Sequence, residues 1–206
     1  FSISLTSDTA TVEAFLNENK SDLVTEAVDN TVKRVDGKFE YVEGSEGVTL
    51  MTGKSAVKIA DFISTDWDGK DASIELLTEK DEPRGTKEEL ESIQDVLGSY
   101  HTDFGTVVNG RTNNIKTGAS KLDGLVVYPG ETISVSEAIG PTTAENGYYP
   151  AGSYENGTTV ETYGGGICQV STTLYNAVIR AELEIVTRAA HSMIVSYVEP
   201  SMDAAI

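Results

Sequence analysis

The sequence is poor in the residues that build metal sites and covalent cross-links. Its 206 residues include one cysteine, Cys168, and two histidines, His101 and His191. A single cysteine cannot form an internal disulfide, so cysteine usage does not indicate whether the protein works in an oxidising or a reducing compartment. These three side chains are also far apart in sequence and lack the spacing of a zinc site. We therefore expect neither a metal ion nor another cofactor.

Basic residues and long apolar runs are also scarce. The chain has 15 Lys and Arg against 33 Asp and Glu, a net charge of −18, which argues against nucleic acid and anionic lipid as partners. No stretch approaches the roughly 18 apolar residues of a transmembrane helix, so we expect no membrane contact from this part of the protein. The chain begins at Phe1 without a signal peptide, and we expect any export signal or anchor to have been removed. Nothing in the sequence predicts the oligomeric state.

Charge and glycine content divide the chain near residue 98. Residues 1–98 carry 22 acidic and 10 basic side chains, a net charge of −12, whereas residues 99–206 carry 11 and 5, a net charge of −6. A capping box formed by Thr86 and Glu89 predicts a helix over residues 87–97, which Gly98 ends. We expect an α+β protein of two small domains, 1–98 and 99–206, with this helix as the connector.

Apolar periodicity predicts the elements of both domains. In the first we expect helices over 8–19, 21–30 and 55–63, strands over 48–50 and 72–77, and a hairpin of 31–35 with 38–42. In the second we expect helices over 115–122 and from Cys168 onward, strands over 100–104, 125–128, 133–135, 158–163, 183–187 and 193–198, and a long surface loop over 140–157. The second domain is therefore predicted to have mixed short strands.

The most informative stretch covers residues 164–176, where three glycines precede Ile-Cys-Gln-Val-Ser-Thr-Thr-Leu-Tyr-Asn. Apolar residues at intervals of three and four predict a helix with Cys168 at or near its first turn. There the helix dipole favours a thiolate, and backbone N–H groups can bind an oxyanion. The alternative is that Cys168 is a small buried apolar residue, as lone cysteines usually are.

Several blocks of the second half resemble the VanW domain family in content and order. They are Arg-Thr-Asn-Asn-Ile at 111–115, Ala-Ser-Lys at 119–121, Pro-Gly-Glu at 129–131, Gly-Pro-Thr at 140–142, Gly-Tyr at 147–148, the hallmark block at 164–176, and His-Ser-Met-Ile-Val-Ser-Tyr-Val at 191–198. The resemblance covers about residues 99–206. Family members continue with further strands beyond the match to 203–205, so the resemblance leaves open that the domain is C-terminally incomplete.

The first part of the chain, about residues 1–80, more weakly resembles a small peptidoglycan-binding domain. That domain is found beside L,D-transpeptidase domains in clostridial cell-wall proteins. The two resemblances together imply a bacterial cell-wall protein on the outer side of the membrane. The VanW name also implies an association with vancomycin resistance.

The VanW resemblance further implies a cysteine-dependent L,D-transpeptidase. Cys168 would attack the carbonyl between the diamino acid and D-Ala of a peptidoglycan stem tetrapeptide. D-Ala would leave, and a side-chain amine of a second stem would take the acyl group to give a 3–3 cross-link. Peptidoglycan stem peptides are thus the expected partners.

Each role in this chemistry has a candidate residue. Cys168 is the expected nucleophile and His191 the expected base, because His191 lies in a family block; His101 is the reserve. The alternative for His191 is a hydrogen bond that caps a turn. Asp203 would orient His191, unless it is simply a solvated residue near the end of the sequence.

Binding of the substrate and of the oxyanion is assigned to a second set of residues. The backbone N–H groups around Cys168, including those of Gly166, Ile167 and Gln169, are the expected oxyanion donors. Arg111 would grip a stem-peptide carboxylate with two N–H groups, unless it is a surface or ion-paired arginine. Asn114 would either position the substrate backbone or close a turn.

Two other functions fit the same residues. A Cys–His peptidoglycan hydrolase would share the nucleophile and base but pass the acyl group to water, and the sequence does not separate it from a transpeptidase. A non-catalytic wall-binding or glycopeptide-resistance accessory protein would use Cys168 only for packing. Inertness of the Cys168 thiol to small alkylating reagents would favour that last class.

Overall fold

The computed structural model describes residues 6–106, 109–155 and 158–206. The chain divides into two compact units, Phe1–Ile93 and Gln94–Ile206, so the division falls slightly before the predicted boundary at residue 98. In the described residues, the first unit combines helices with two two-stranded antiparallel sheets and the second combines helices with one such sheet, which agrees with the α+β prediction. Within the described residues, no helix is both long and apolar enough to cross a membrane.

The first unit is built from helices packed beside two small sheets. Its elements are α1 (Thr9–Glu18), α2 (Lys20–Leu23), β1 (Thr31–Val35), β2 (Lys38–Val42), β3 (Gly47–Leu50), α3 (Thr52–Thr65), β4 (Thr78–Asp81) and α4 (Lys87–Glu91). β1 pairs with β2, and β3 pairs with β4. Leu16 of α1, Leu50 of β3 and Ala56 of α3 form the core.

The hairpin of β1 and β2 confirms its prediction residue by residue. Val35 lies opposite Lys38, and the connecting Asp36 and Gly37 both have positive φ, 49° and 82°. Two positive φ values in a two-residue loop match the twist of the flanking strands. The local turn residues therefore suffice to specify this element.

Two predicted elements of the first unit are wrong because long-range pairing replaces local periodicity. The helix expected over 21–30 is limited to α2, since Val28 exchanges backbone hydrogen bonds with Ser45 at 2.9 Å. The strand expected over 72–77 lies instead at β4. Leu77 still accepts a bond from the backbone N–H of Met51 at 2.9 Å, so pairing with β3 begins there.

The connector helix is shorter than predicted. The capping box of Thr86 and Glu89 is present, but α4 ends at Glu91. Ser92 and Ile93 then donate to carbonyls three residues back, which tightens the chain into a turn. Gly98 does not end a helix; a Cβ there would lie 2.2 Å from the carbonyl oxygen of Ala177, so this glycine permits a close backbone approach.

The second unit contains α5 (Gly110–Leu122), α6 (Val135–Ile139), β5 (Pro150–Glu155), β6 (Thr158–Tyr163) and α7 (Cys168–Arg180). β5 and β6 pair along their whole length. Ile139, Tyr148 and Ile167 form the core, with Leu122 and Val135 packed against it. The helices α5 and α7 and the strand β6 fall where the sequence predicts them, although α5 begins five residues early.

Several predicted strands of the second unit are absent. No strand is present at 100–104, 125–128, 183–187 or 193–198 in the described part of the chain. Residues 133–135 are not a strand either, because the Ser134 hydroxyl caps the helix α6 that starts at Val135. A short apolar run forms a strand only when the edge of another strand is available to pair with it. Near residue 190 the pairing is reduced to one bridge, between Ala189 and Ala205.

The predicted surface loop over 140–157 is confirmed over residues 140–149, which form no helix or strand, and is wrong over residues 150–155. It contains β5, and Tyr148 is 2% exposed, with its hydroxyl 3.3 Å from the carbonyl oxygen of Ile139. Residues 156 and 157 lie outside the described residues. Tyr148 therefore belongs to the core of the second unit.

Candidate functional site

The triple-glycine turn sets the position of Cys168. Gly164 and Gly166 have φ values of +83° and +103°, which residues with a Cβ rarely adopt. Gly165 allows a close approach, since a Cβ there would lie 2.4 Å from the carbonyl oxygen of Ala151. The turn leads into α7, whose first residue is Cys168.

Ile167 anchors the turn in the core. Its side chain is 5% exposed and packs with Ile139 and Tyr148. Cys168 itself is only partly buried, so its thiol is held at an accessible position by the packing of its neighbour. The alternative of a fully buried apolar cysteine does not describe this geometry.

Residues 202–206 run along the first turns of α7 and are tied to it by hydrogen bonds. The Ser171 hydroxyl donates to the carbonyl of Ala204 at 2.7 Å, and the backbone N–H of Ala204 donates to the Thr172 hydroxyl at 2.9 Å. The Cys168 thiol lies 3.6 Å from the carbonyl oxygen of Ile206. Asp203 precedes Ala204, so its position is fixed relative to the helix turn that carries Cys168.

His191 and Asp203 form a hydrogen-bonded pair. Asp203 Oδ2 lies 2.6 Å from His191 Nδ1 and 2.7 Å from the backbone nitrogen of His191. Both side chains are 11% exposed. The predicted association of these two residues is therefore present in the structure, and Asp203 is not a solvated terminal residue.

Hydrogen bonding determines the charge of Asp203 and the tautomer of His191. Burial acts to raise the pKa of Asp203, but the backbone and ring N–H groups of His191 outweigh it and hold that pKa below its ordinary value. Asp203 is thus an ionised carboxylate at neutral pH and can only accept hydrogen bonds. The proton of the neutral ring therefore sits on Nδ1, which leaves Nε2 as the basic nitrogen.

The structure narrows the set of backbone oxyanion donors. The N–H of Ile167 donates to the carbonyl of Gly164 and that of Gln169 to the carbonyl of Gly166, each at 3.0 Å. The geometry does not support Ile167 and Gln169 as oxyanion donors, because those N–H groups are engaged. Within the described residues, the N–H groups of Gly166 and Cys168 have no such acceptor.

The Gln169 side chain braces the site rather than facing substrate. It is 2% exposed, donates to the Thr102 hydroxyl at 2.9 Å and to the Asp103 carbonyl at 3.0 Å, and accepts from Arg111 Nη2 at 2.6 Å. Arg111 spends one N–H on this contact. A guanidinium has five N–H donors, so Arg111 keeps further donors with which it can bind a carboxylate.

Asn114 has a structural role. It is fully buried; its amide donates to the carbonyls of Tyr149 and Gly165 at 2.9 and 3.0 Å and accepts from the backbone N–H of Tyr149 at 2.8 Å. These bonds join α5 to the residue that precedes β5 and to the glycine turn. The geometry supports the closure of a turn as the role of Asn114. It does not support the alternative, in which Asn114 positions the substrate backbone.

Tyr197 is a residue of this site that the sequence did not single out. Burial raises the pKa of its hydroxyl to about 12, a hydrogen bond with Thr172 opposes that rise, and the charges of Cys168, Arg111 and Asp203 also act on it. Tyr197 therefore lies among the candidate residues as a protonated phenol at neutral pH. The sequence signal that could have identified Tyr197 is its position in the 191–198 block that resembles the VanW family.

A cavity of about 270 Å³ lies beside the His–Asp pair. It is lined by residues between Arg188 and Asp203, including His191 and Glu199, and Cys168 is not among its lining residues. In the described part of the chain, no group of three or more His, Cys, Asp or Glu side chains is arranged to hold a metal ion.

The comparisons with known proteins identify the family of this part of the chain. A family model described as "VanW like protein" matches residues 110–206, so the C-terminal region belongs to the VanW family. The curated protein named "Uncharacterized protein YoaR" from Bacillus subtilis (strain 168) is 44% identical over 110 residues, 53% of this chain and 36% of YoaR. The "Vancomycin B-type resistance protein VanW" of Enterococcus faecalis (strain ATCC 700802 / V583) is 29% identical over 108 residues, 52% of this chain and 39% of that protein.

The aligned region covers only a little over a third of the length of each of these relatives. No solved structure matches the chain. The family membership therefore applies to the region that carries Cys168, His191 and Asp203.

Proposed function

We propose that the C-terminal unit is a cysteine-dependent L,D-transpeptidase that forms 3–3 cross-links between peptidoglycan stems, outside the cell membrane. The observation that carries the proposal is the His191–Asp203 pair, joined at 2.6 Å and tied through Ala204 to the first turns of α7. A base oriented by a carboxylate is the group that a thiol at a helix start needs if it is to be activated as a nucleophile. The resistance protein among the relatives supports a role at the cell wall.

In the acylation step, Nε2 of His191 takes the proton of the Cys168 thiol. The thiolate forms a bond to the carbonyl carbon between the diamino acid and D-Ala of the donor stem. The C–N bond then breaks, and D-Ala leaves with the proton returned by His191. The backbone N–H of Cys168 is the donor best placed to stabilise the oxyanion, and Arg111 binds the carboxylate of D-Ala.

In the second step, a side-chain amine of another stem attacks the thioester. His191 accepts a proton from the attacking amine, the new amide bond forms and the C–S bond breaks. The proton returns to sulfur, so the thiol is regenerated and no cofactor is consumed. If water replaces the amine, the same residues produce a hydrolysed tripeptide stem.

We propose peptidoglycan binding for the first unit, on its resemblance to such domains. It would hold the glycan strand while the C-terminal unit acts. The charge of this unit is mostly on exposed side chains, and its buried core is apolar. A pull-down of the purified protein with insoluble peptidoglycan, compared with a pull-down with cellulose, tests the proposed binding.

The deciding experiment is intact-mass spectrometry of the protein incubated with disaccharide-tetrapeptide, beside Cys168→Ala. A thioester adduct on the protein, release of D-Ala and a 3–3 dimer, all absent with Cys168→Ala, are the expected result. Tripeptide without dimer would establish the hydrolase instead. An intact substrate together with a thiol inert to iodoacetamide would contradict both and favour the accessory function.

A further inference from the structure

Arg188 holds the Asp203 carboxylate from the side opposite His191. Its Nη2 donates to Asp203 Oδ1 at 3.1 Å and to the carbonyl of Ser201 at 3.0 Å, and its Nε donates to the carbonyl of Asp203 at 2.6 Å. Oδ2 of Asp203 is engaged by His191. Both oxygens of one carboxylate are thus fixed, one by each partner.

The guanidinium is itself held in place. It lies over the ring of Tyr175 in α7, 5.2 Å from the ring centroid, a cation–π contact. The Arg188 side chain is 26% exposed and that of Asp203 is 11% exposed. Partial exclusion of water strengthens such charge-assisted bonds, and a planar guanidinium fixes orientation better than an ammonium does.

We infer that Arg188 is a positioning residue for the proposed reaction: by clamping Asp203 it keeps the His191 ring in the tautomer and orientation that presents Nε2 to the thiol. The inference rests on the proposed function, because the base has a role only if Cys168 is a nucleophile. A carboxylate held through one oxygen can rotate about its Cβ–Cγ bond. Held through both, it offers His191 a single acceptor position.

A purely structural role for Arg188 makes a different prediction. Ser201 has a positive φ of 67°, and Arg188 bonds its carbonyl, so the arginine also stabilises the turn that precedes Asp203. If that were its whole contribution, loss of Arg188 would lower the stability of the turn. The tautomer of His191 would remain unchanged in the molecules that stay folded.

The test uses the histidine NMR signals together with kinetics. The chain has only two histidines, so a His101→Gln spectrum assigns His191. Two-bond ¹H–¹⁵N correlations at about pH 8.5, where a free imidazole is neutral, distinguish the Nδ1–H from the Nε2–H tautomer. Wild type is compared with Arg188→Met and Arg188→Gln, and with Arg180→Met as the matched control.

Arg180, the last residue of α7, is a suitable control because it also bonds a backbone carbonyl and also lies over a tyrosine ring. Its Nη1 donates to the carbonyl of Asn176 at 2.6 Å, and its guanidinium lies 4.4 Å from the ring centroid of Tyr100. Arg180→Met therefore removes an arginine with similar packing and no bond to Asp203. We expect it to retain the wild-type tautomer and the wild-type rate of thioester formation.

We expect wild-type His191 to be in the Nδ1–H form and both Arg188 variants to show a mixture of tautomers. The rate constant of Cys168 acylation should fall about 10- to 100-fold, the range typical when a residue that orients a metal-binding histidine is lost, with KM changed less than about twofold. Arg188→Lys, which keeps the charge, should recover part of that rate.

A single Nδ1–H tautomer in both folded variants, or acylation at the rate of Arg180→Met, would overturn the inference. If Arg188→Met does not fold, Arg188→Gln decides the question by the same two readouts. Absence of acylation in wild type would instead contradict the proposed function, while the tautomer measurement would still test the clamp.

Discussion

The two units bury different kinds of side chain. In the described residues of the first unit the buried polar residue is Ser55, whereas in the second unit seven polar side chains are buried, namely Thr112, Asn114, Gln169, Ser171, Thr172, Asn176 and Asp203. Most of the latter bond to backbone groups of irregular segments around Cys168. Buried polar side chains thus hold the second unit together where the candidate site lies.

In the part of the chain that the structure describes, the candidate site is held in place without a large sheet. Asn176 donates to the carbonyl of Met202 at 2.7 Å, and Ser171 and Thr172 bond to Ala204. These residues lie on one face of α7, so the helix orders the chain segment that supplies Asp203. Because a buried polar group without a partner is costly, the arrangement is specific and also sensitive to single substitutions.

The largest effect is expected from Cys168→Ala, which should remove activity without loss of stability. The thiol makes one weak contact, with Ile206 at 3.6 Å, and supplies no core packing. Loss of a nucleophile typically lowers kcat by at least about 1,000-fold. The release of D-Ala measures activity, and thermal unfolding measures stability; a large drop in melting temperature would show that Cys168 is a packing residue after all.

The second-largest effect is expected from Asn114→Ala in the second unit, which we compare with Ser55→Ala in the first. Asn114→Ala removes three hydrogen bonds, leaving two carbonyls and one N–H without this partner, and should lower the free energy of unfolding by about 3 kcal/mol. Ser55→Ala removes bonds to Leu77 alone and should cost about 1 kcal/mol.

Hydrogen exchange read by mass spectrometry can assign each loss to its unit, which a single global melting curve cannot. Asn114→Ala should increase exchange at the glycine turn and at β5. Ser55→Ala should increase exchange near β4. Equal effects of the two substitutions would contradict the view that the second unit depends more strongly on its buried polar bonds.

The sequence predicted the parts of this molecule whose information is local. Asp36-Gly37 specified the hairpin, the Thr86–Glu89 pair specified a helix start, and the periodicity after Ile167 specified α7. The strands predicted at 183–187 and 193–198 were wrong. The chain after α7 is held instead by side chains of α7 and by Arg188, which bond the backbone of residues 201–204. Such contacts join residues distant in sequence and leave no periodic signal.

The candidate site shows the same limit. His191 and Asp203 were predicted as partners from chemistry, since an imidazole base is commonly oriented by a carboxylate. Arg188 and Tyr197 were missed because neither an arginine nor a tyrosine in a short apolar stretch has a distinctive spacing. The engagement of the Ile167 and Gln169 N–H groups depended on the tight turn geometry, which the sequence alone does not give.

Acid should weaken the second unit through Asp203. Its pKa in the folded protein lies below the ordinary value of 3.8, so the unfolded state binds the proton more readily. The stabilisation is therefore complete above about pH 4 and is lost as the pH falls through the folded-state pKa. We expect the difference in unfolding free energy between wild type and Asp203→Asn to shrink over that window.

Asp8→Asn in the first unit is the control for this titration. The hydroxyl and backbone N–H of Thr11 lower the pKa of Asp8, but Asp8 is exposed and asparagine is an equally good helix cap. Asp8→Asn should therefore change the pH dependence of the unfolding free energy in acid much less than Asp203→Asn does. A larger change for Asp8→Asn than for Asp203→Asn would show that the buried pair is not the acid-sensitive element.

The smallest effect at neutral pH is expected from Tyr197→Phe, and it should grow in alkali. Burial raises the pKa of Tyr197 to about 12 from 10.0, so the unfolded state loses the phenolic proton first. Wild type should therefore lose unfolding free energy relative to Tyr197→Phe as the pH rises from about 10 to about 12. Tyr163→Phe, at an exposed site on β6, controls for loss of a hydroxyl. If wild type and Tyr197→Phe lose stability in parallel over this range, Tyr197 is not the half-buried phenol near Cys168, Arg111 and Asp203 that the structure describes.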